Sequence, residues 1–196
     1  LLQKVGLRIY DRCCDFFYTE SDILGMQRFL QEENIKKNEH LAVISPAGNW
    51  NLKRWPEIYF SQLADRLIEE LNLKVIFSAD KNEKNIIERI SSKMKNKPID
   101  AVGRLTLNEF AVLIKRADVF ISADTAPLHI ANCVSNNYII GLFGPTSIYI
   151  TGPYPKRENV FIFQKSGDCK IPCYRLDCCD NKCMKSITPD EVFDKI

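Results

Sequence analysis

Residues 119–131 read VFISADTAPLHIA, an apolar run followed directly by a polar turn and a second apolar pattern. Val119–Ser122 is predicted to be a buried β-strand, and a helix is expected to start near Thr125. The N-terminus of such a helix presents free N–H groups and partial positive charge, which favour anions. Small Ala126 would let a diphosphate approach the backbone. His129 would lie about one turn into the helix, although a structural histidine beside a polar cap is the alternative.

The same alternation of apolar runs and amphipathic patterns continues on both sides of this stretch. Between the runs, Thr106 and Glu109 have the spacing of a capping box that opens a helix. Buried strands separated by helices predict an α/β fold, a doubly wound parallel sheet with ligands at the carboxyl ends of its strands. The other apolar runs are residues 41–44, 75–77, 99–102, 139–143 and 160–163.

Three other predicted strand ends carry residues suited to a ligand. Lys53 and Arg54 could neutralise phosphate, although the residues of this loop taken alone favour a surface loop with solvated cations. Asp80 follows the second strand, where an acidic residue can accept hydrogen bonds from ribose hydroxyls or cap a helix. Gly144 lies in a turn after the fifth strand, which is weak evidence alone. The sequence contains no Walker A motif and no Gly-x-Gly-x-x-Gly fingerprint.

The composition is that of an ordinary globular protein. The 196 residues are 45% hydrophobic and carry a formal charge of +2, which does not indicate nucleic-acid binding. No apolar run approaches the roughly 20 residues of a membrane span. The chain starts at Leu1-Leu2 without a signal-peptide pattern, so a fragment of a longer protein or a processed one is expected. A boundary is predicted near residue 37.

Five of the eight cysteines crowd the C-terminal end. Without signs of export, reduced thiols or a local metal site fit better than a disulfide framework. Four thiolates could hold zinc, although their gaps do not match a standard paired knuckle. Reduced structural thiols and disulfides therefore stay open as alternatives. The candidate zinc ligands are Cys169, Cys173, Cys178 and Cys183.

Together and in this order, the motifs resemble those of the family-9 glycosyltransferases, whose best-known members are ADP-heptose:lipopolysaccharide heptosyltransferases. The matching motifs are Lys53–Pro56, Asp124–Ala131, Leu142–Thr146, the cysteine-rich segment and Ile187–Val192. The resemblance covers roughly residues 40–196, at the scale of one domain. It implies the Rossmann-like C-terminal half of a GT-B enzyme. Residues 37–196 would then bind the nucleotide sugar, and residues 1–36 would be a remnant of the acceptor domain with its linker.

The resemblance also implies roles for individual residues. Lys53 would contact the donor phosphates or sugar, Asp80 the ribose, and Leu105 would form a wall of the adenine pocket. Asp124 would contact sugar hydroxyls, and with Lys53 and His129 it forms the expected catalytic set. Many family members have Gly where this chain has Ala126. The alanine methyl group makes close approach of the diphosphate to the backbone slightly less easy. The remaining donor-binding residues implied are Thr125, Ala126, His129 and Gly144.

The activity implied is an inverting transfer that requires no metal or other cofactor. Its general base would lie in an N-terminal domain that residues 1–36 do not match, so the chain is expected to bind the donor without catalysing transfer alone. The expected partners are the nucleotide sugar, the lipopolysaccharide core acceptor and that N-terminal domain. The protein is expected in the cytoplasm or peripheral to the inner membrane. The alternatives are a GT-B transferase using a UDP- or GDP-sugar, and a non-catalytic binding module with a zinc element.

Overall fold

Six parallel strands form a single sheet and confirm the predicted α/β class. The computed structural model describes residues 2–6, 8, 14–48, 50–175 and 177–196. The strands are β1 (Leu41–Ser45), β2 (Lys74–Phe77), β3 (Ile99–Asp100), β4 (Val119–Ala123), β5 (Tyr138–Phe143) and β6 (Val160–Gln164). Their order across the sheet is β3-β2-β1-β4-β5-β6, and every pairing is parallel. In this doubly wound order the direction of winding reverses between β1 and β4.

Helices connect the strands and follow the last of them. The capping box predicted for α4 is present, since Thr106 Oγ1 accepts from Glu109 N at 3.2 Å and Glu109 Oε2 from Thr106 N at 2.7 Å. The apolar periodicity of the sequence does not predict the helices at Ile148–Thr151 and Lys182–Lys185, because a four-residue helix is too short for an apolar repeat. The helices are α1 (Glu20–Glu32), α2 (Glu57–Glu69), α3 (Lys84–Ser91), α4 (Leu107–Arg116), α5 (Ala126–Val134), α6 (Ile148–Thr151), α7 (Lys182–Lys185) and α8 (Pro189–Phe193).

The central strands are buried on both faces. On β1, Ala42 and Ile44 face one core, while Leu41 and Val43 face the other, and all four are fully buried. The first core also takes residues of α2, α3, α7 and α8, and the second takes residues of α1, α4 and α5. Full burial of a leucine, isoleucine or valine side chain contributes about 1.5–3 kcal/mol to the stability of the folded state. The two helical layers therefore hold the sheet rigidly beneath its loops.

One strand boundary differs from the sequence-based expectation. Strand β3 ends at Asp100, before the expected Val102, because the Asp100 carboxylate accepts the Val102 N–H at 2.8 Å and turns the chain. Helix α1 buries Met26 and Phe29 in the same core as α4. The division expected near residue 37 stays a prediction.

The described helices are shorter than a bilayer span. None of them is both long enough and apolar enough to cross a membrane. The longest, α1 and α2, have 13 residues each, against the roughly 20 that a span requires.

Candidate functional site

A cleft of about 990 Å³ opens at the carboxyl edge of the sheet. Its walls come from the segments after β1, β2, β3 and β4 and from the start of α4. It includes the loops after β1 and β4, between which the strand order reverses, and doubly wound sheets bind their ligands at this position. Six of the residues selected from the sequence line it: Lys53, Asp80, Leu105, Asp124, Thr125 and Ala126.

Lys53 and Asp124 form an ion pair in this cleft. Lys53 Nζ donates to Asp124 Oδ2 at 2.7 Å and to the Asp124 carbonyl oxygen at 3.2 Å. The Asp124 side chain is 3% exposed, whereas that of Lys53 is 21% exposed. A buried carboxylate is stable only when it is paired and hydrogen-bonded. The pair therefore fixes an ammonium group that a ligand in the cleft can still reach.

Two threonines complete the surroundings of the Asp124 carboxylate. Thr146 Oγ1 donates to Oδ2 at 2.7 Å, and Thr151 Oγ1 donates to the same oxygen at 3.0 Å. Thr146 follows β5, and Thr151 ends α6. One carboxylate oxygen thus accepts from three side chains that come from the loops after β1 and β5 and from α6.

Helix α5 begins at the cleft with a free N-terminus, in the sense that no side chain caps it. Pro127 has no N–H and the Leu128 N–H donates to the Thr125 carbonyl oxygen at 3.0 Å, so the N–H of Ala126 is the helical donor left for a ligand. Thr125 occupies the N-cap position without capping the helix, because its hydroxyl lies 3.1 Å from Ser122 Oγ and 3.3 Å from the Ala123 carbonyl oxygen. Ala126, the first helical residue, is exposed. A Cβ atom at Gly48 would lie 3.0 Å from Thr125 Cγ2, so the loops after β1 and β4 approach closely. The partial positive charge of this helix end favours an anion beside Lys53.

The other end of the cleft holds Asp80 and Leu105. Asp80 caps the 3-10 turn Lys81–Glu83, and its Oδ1 accepts from Asn82 N at 2.9 Å and Asn82 Nδ2 at 2.8 Å. The capping interpretation of Asp80 is therefore confirmed, and the residue also lines the cleft. Leu105 is half-buried in the loop before α4. An acidic group beside an apolar wall suits a nucleoside, whose ribose is polar and whose base is flat.

The structure places three selected residues outside the cleft lining. Arg54 Nε donates to the Gly48 carbonyl oxygen at 2.7 Å, and Arg54 does not line the cleft. His129 is exposed on α5 and does not line the cleft. It shares a helix face with Ala126, but it lies about 4.5 Å further along the helix axis from the N-terminus at the cleft. Gly144 is buried, and a Cβ atom there would lie 2.8 Å from Met184 Sδ and 3.2 Å from the Leu52 carbonyl oxygen. Close packing accounts for that glycine.

The sequence model of glycosyltransferase family 9 (heptosyltransferase) matches residues 17–178. The chain belongs to glycosyltransferase family 9. The same segment contains all the residues that line the cleft and the two threonines that donate to Asp124. The resemblance read from the sequence motifs is therefore confirmed at the level of the family.

Curated members of family 9 align with most of the chain. Lipooligosaccharide heptosyltransferase 2 of Campylobacter jejuni is 26% identical over 168 residues, which are 83% of this chain and 52% of that protein. Lipopolysaccharide heptosyltransferase 3 of Escherichia coli is 28% identical over 195 residues, which are 97% of this chain and 54% of that protein. The chain spans about half the length of these relatives.

Solved structures of family 9 share the fold. The glycosyl transferase family 9 protein of Veillonella parvula superposes with a TM-score of 0.84 at 21% identity, over 98% of this chain and 55% of that one. An Escherichia coli heptosyltransferase with ADP superposes with a TM-score of 0.63 at 19% identity, over 87% of this chain and 47% of that one. The predicted doubly wound architecture is thus shared with family-9 glycosyltransferases.

The sequence motifs do not predict a role for Thr146 and Thr151, the two threonines that donate to Asp124. Thr146 lies within the motif Leu142–Thr146, and this position is the sequence feature that could have indicated a role in the site. Thr151 has no such signal, because it lies 27 residues from Asp124 and on a helix too short to predict. Trp50 also lines the cleft, and its indole Nε1 is buried without a described acceptor.

The cysteine-rich segment does not form the predicted zinc site. Among the described residues, no three Cys, His, Asp or Glu side chains converge as metal ligands. The described cysteines are free thiols, and burial raises the pKa of Cys183. The segment instead braces the site, since Cys173 N donates to the Pro145 carbonyl oxygen at 2.8 Å, next to Thr146. The described residues therefore do not support zinc binding by these four cysteines.

Proposed function

We propose that this chain is the donor-binding domain of an inverting heptosyltransferase that transfers heptose from ADP-heptose to the lipopolysaccharide inner core. The observation that carries the proposal is the Lys53 ammonium, held by Asp124 at 2.7 Å beside the free N-terminus of α5. Two positive groups converge there in a cleft that also offers an apolar wall. The relatives named above are heptosyltransferases, and the solved structures include one with ADP.

The donor would lie along the cleft with its diphosphate at the α5 end. Lys53 would bind the β-phosphate, and the backbone N–H of Ala126 would donate to the diphosphate beside Thr125. Asp80 would accept from the ribose hydroxyls, because one of its oxygens is used by Asn82 and the other is available. Leu105 would pack against the adenine. Asp124 would accept from a hydroxyl of the sugar.

These groups supply the electrostatic part of an inverting transfer. The acceptor hydroxyl oxygen attacks the anomeric carbon, the bond from that carbon to the β-phosphate oxygen breaks, and the hydroxyl proton passes to a general base. Negative charge then develops on the departing ADP. Lys53 and the α5 N-terminus would stabilise that charge from fixed positions, which is the usual source of the largest rate effect.

The general base and the acceptor site would lie outside these 196 residues. The chain spans about half the length of the relatives, and inversion requires a base on the face opposite the leaving group. Residues 1–36 would be the link to that second domain, although α1 packs with the donor-binding core. The chain alone would therefore bind the donor without transferring it.

Calorimetric titration with ADP, UDP and GDP in magnesium-free buffer tests the proposal. We expect saturable binding that favours ADP. Lys53→Met should weaken ADP binding ~10- to 100-fold, because a charge-assisted hydrogen bond to phosphate is lost. Lys97→Met is the matched control, since Lys97 is exposed and lies outside the cleft lining.

The outcomes separate the parts of the proposal. A preference for UDP or GDP would keep the glycosyltransferase and overturn the adenine assignment. Equal ADP affinity in Lys53→Met and Lys97→Met would remove Lys53 from the phosphate site. Absence of binding to all three nucleotides, in this chain and after addition of its second domain, would overturn the donor-binding function.

A further inference from the structure

The two oxygens of the Asp124 carboxylate are used differently. Oδ2 accepts from Lys53 Nζ at 2.7 Å, Thr146 Oγ1 at 2.7 Å and Thr151 Oγ1 at 3.0 Å. Within the described part of the chain, no group donates to Oδ1. Oδ2 is therefore committed to the protein, and Oδ1 is the oxygen available to a ligand in the cleft.

The two threonines differ in how firmly they bind Asp124. Thr146 is 8% exposed, and Asp124 is the acceptor of its hydroxyl. Thr151 Oγ1 lies 3.0 Å from Asp124 Oδ2 and 3.2 Å from the Ser147 carbonyl oxygen, so its single proton is shared between two acceptors. Thr146 is thus the stronger of the two donors.

The loop that carries Thr146 is itself held from two sides. Gln164 Nε2 on β6 donates to the Thr146 carbonyl oxygen at 2.5 Å and to that of Gly144 at 3.3 Å. Cys173 N donates to the Pro145 carbonyl oxygen at 2.8 Å. The hydroxyl of Thr146 is therefore presented to Asp124 from a fixed backbone.

We propose that Thr146 and Thr151 are positioning residues, which hold the Asp124 carboxylate so that Lys53 keeps its ammonium at the phosphate end of the cleft. Each hydroxyl donor satisfies part of the negative charge on Oδ2, so that Lys53 is oriented by Asp124 without being fully neutralised by it. Thr146 and Thr151 have this role only if the cleft takes a nucleoside diphosphate, as proposed above.

Loss of these hydroxyls would act on the phosphate contact through Lys53. With fewer donors on Oδ2, the carboxylate can rotate and draw the ammonium group toward itself and away from the ligand. ADP binding would then weaken, whereas AMP binding would not, because AMP lacks the β-phosphate. A general loss of folding would weaken both nucleotides alike.

The test compares Thr146→Val, which removes the hydroxyl, with Thr146→Ser, which keeps it, and repeats the pair at Thr151. Calorimetry with ADP and AMP in magnesium-free buffer gives the readout. We expect Thr146→Val to lower ADP affinity ~5-fold or more, with AMP affinity unchanged and a smaller loss for Thr151→Val. The serine variants should bind as the unmodified chain does. Thr19→Val is the matched control, since it removes a hydroxyl bonded to Asp22 Oδ2 at 2.7 Å, away from the cleft.

A second readout needs no nucleotide. The Lys53 side-chain resonances in the NMR spectrum of the free protein, assigned with Lys53→Arg, should shift in the valine variants and stay in place in the serine variants. Unchanged ADP affinity in Thr146→Val, equal losses for ADP and AMP, or failure of serine to restore binding would overturn the proposal. If no nucleotide binds to the unmodified chain, alone or with its second domain added, the proposed function fails. An unmoved Lys53 resonance in Thr146→Val would overturn the positioning role separately.

Discussion

The indole Nε1 of Trp55 donates a hydrogen bond to the carbonyl oxygen of Ile187 at 2.8 Å. Trp55 is 2% exposed and packs edge-on against Phe60, with ring centroids 4.9 Å apart. It lies two residues after Lys53, in the segment that leads into α2, and Ile187 precedes α8. The C-terminal segment is thus tied to the loop that positions the cleft lysine.

Replacing Trp55 with Phe should lower the free energy of unfolding by about 1–3 kcal/mol. The aromatic ring is largely kept, but the Ile187 carbonyl oxygen, in a fully buried residue, loses its partner. Urea unfolding followed by circular dichroism measures the change. Trp50→Phe is the matched control, because its indole Nε1 has no acceptor among the described residues. Equal destabilisation of the two variants would contradict the assigned hydrogen bond.

Gly144→Ala should also destabilise the fold, by about 1–3 kcal/mol, because its methyl group enters a packed site. The new Cβ would lie 2.7 Å from Met184 Cγ and 3.2 Å from the Leu52 carbonyl oxygen. Thermal unfolding measures the effect in the single variant.

A double-mutant cycle identifies the source of that strain. Met184→Ala removes the closer neighbour, so the combined variant should lose less stability than the sum of the two single changes. Strict additivity would show that Met184 does not create the strain. ADP affinity, measured in parallel, should change little if Gly144 acts through packing alone.

Stability should depend on Glu191 at acidic pH. The hydrogen bond from Lys165, followed by that from the Thr188 backbone N–H, lowers the pKa of Glu191 from its usual 4.5 to about 2. A carboxyl group whose pKa is lower in the folded state contributes stability above pH 4.5 and loses it as the pH falls toward 2. Because the side chain is 42% exposed, solvent screening should keep the effect below about 1 kcal/mol.

Urea unfolding at pH 6 and at pH 3.5 checks this dependence. The unfolding free energy of the unmodified chain should fall more between the two pH values than that of Glu191→Gln. Parallel losses in the two proteins would mean that Glu191 is not the titrating group. Glu20→Gln is the matched control, since Glu20 is an exposed residue that starts α1 on another part of the fold.

Much of the fold could be predicted because its signals are local. The apolar run Val119–Ser122 lies within β4, and the Thr106–Glu109 capping box opens α4 as expected. Strands and caps depend on neighbours within a few residues, which a sequence shows directly. Parallel pairing then brings the strand ends to one edge, so Lys53, Asp80 and Asp124 could be expected at one cleft.

Side-chain direction within that cleft could not be predicted in the same way. His129 belongs to the same sequence motif as Asp124, yet it is exposed outside the cleft lining. Gly144 also belongs to a matching motif, and it packs against Met184, 40 positions further along the chain. Membership of a motif places a residue on an element, but the packing of that element determines which way its side chain faces.

The sequence alone therefore accounts for the family, the doubly wound parallel fold and the loops that carry the site. These follow from short-range patterns and from the order of the motifs. The tertiary structure supplies the contacts that give the site its geometry. Asp124 meets Thr146 and Thr151 from 22 and 27 residues away, and Trp55 meets Ile187 from 132 residues away. These long-range contacts depend on how the helical layers pack against the sheet. Local sequence periodicity does not determine that packing.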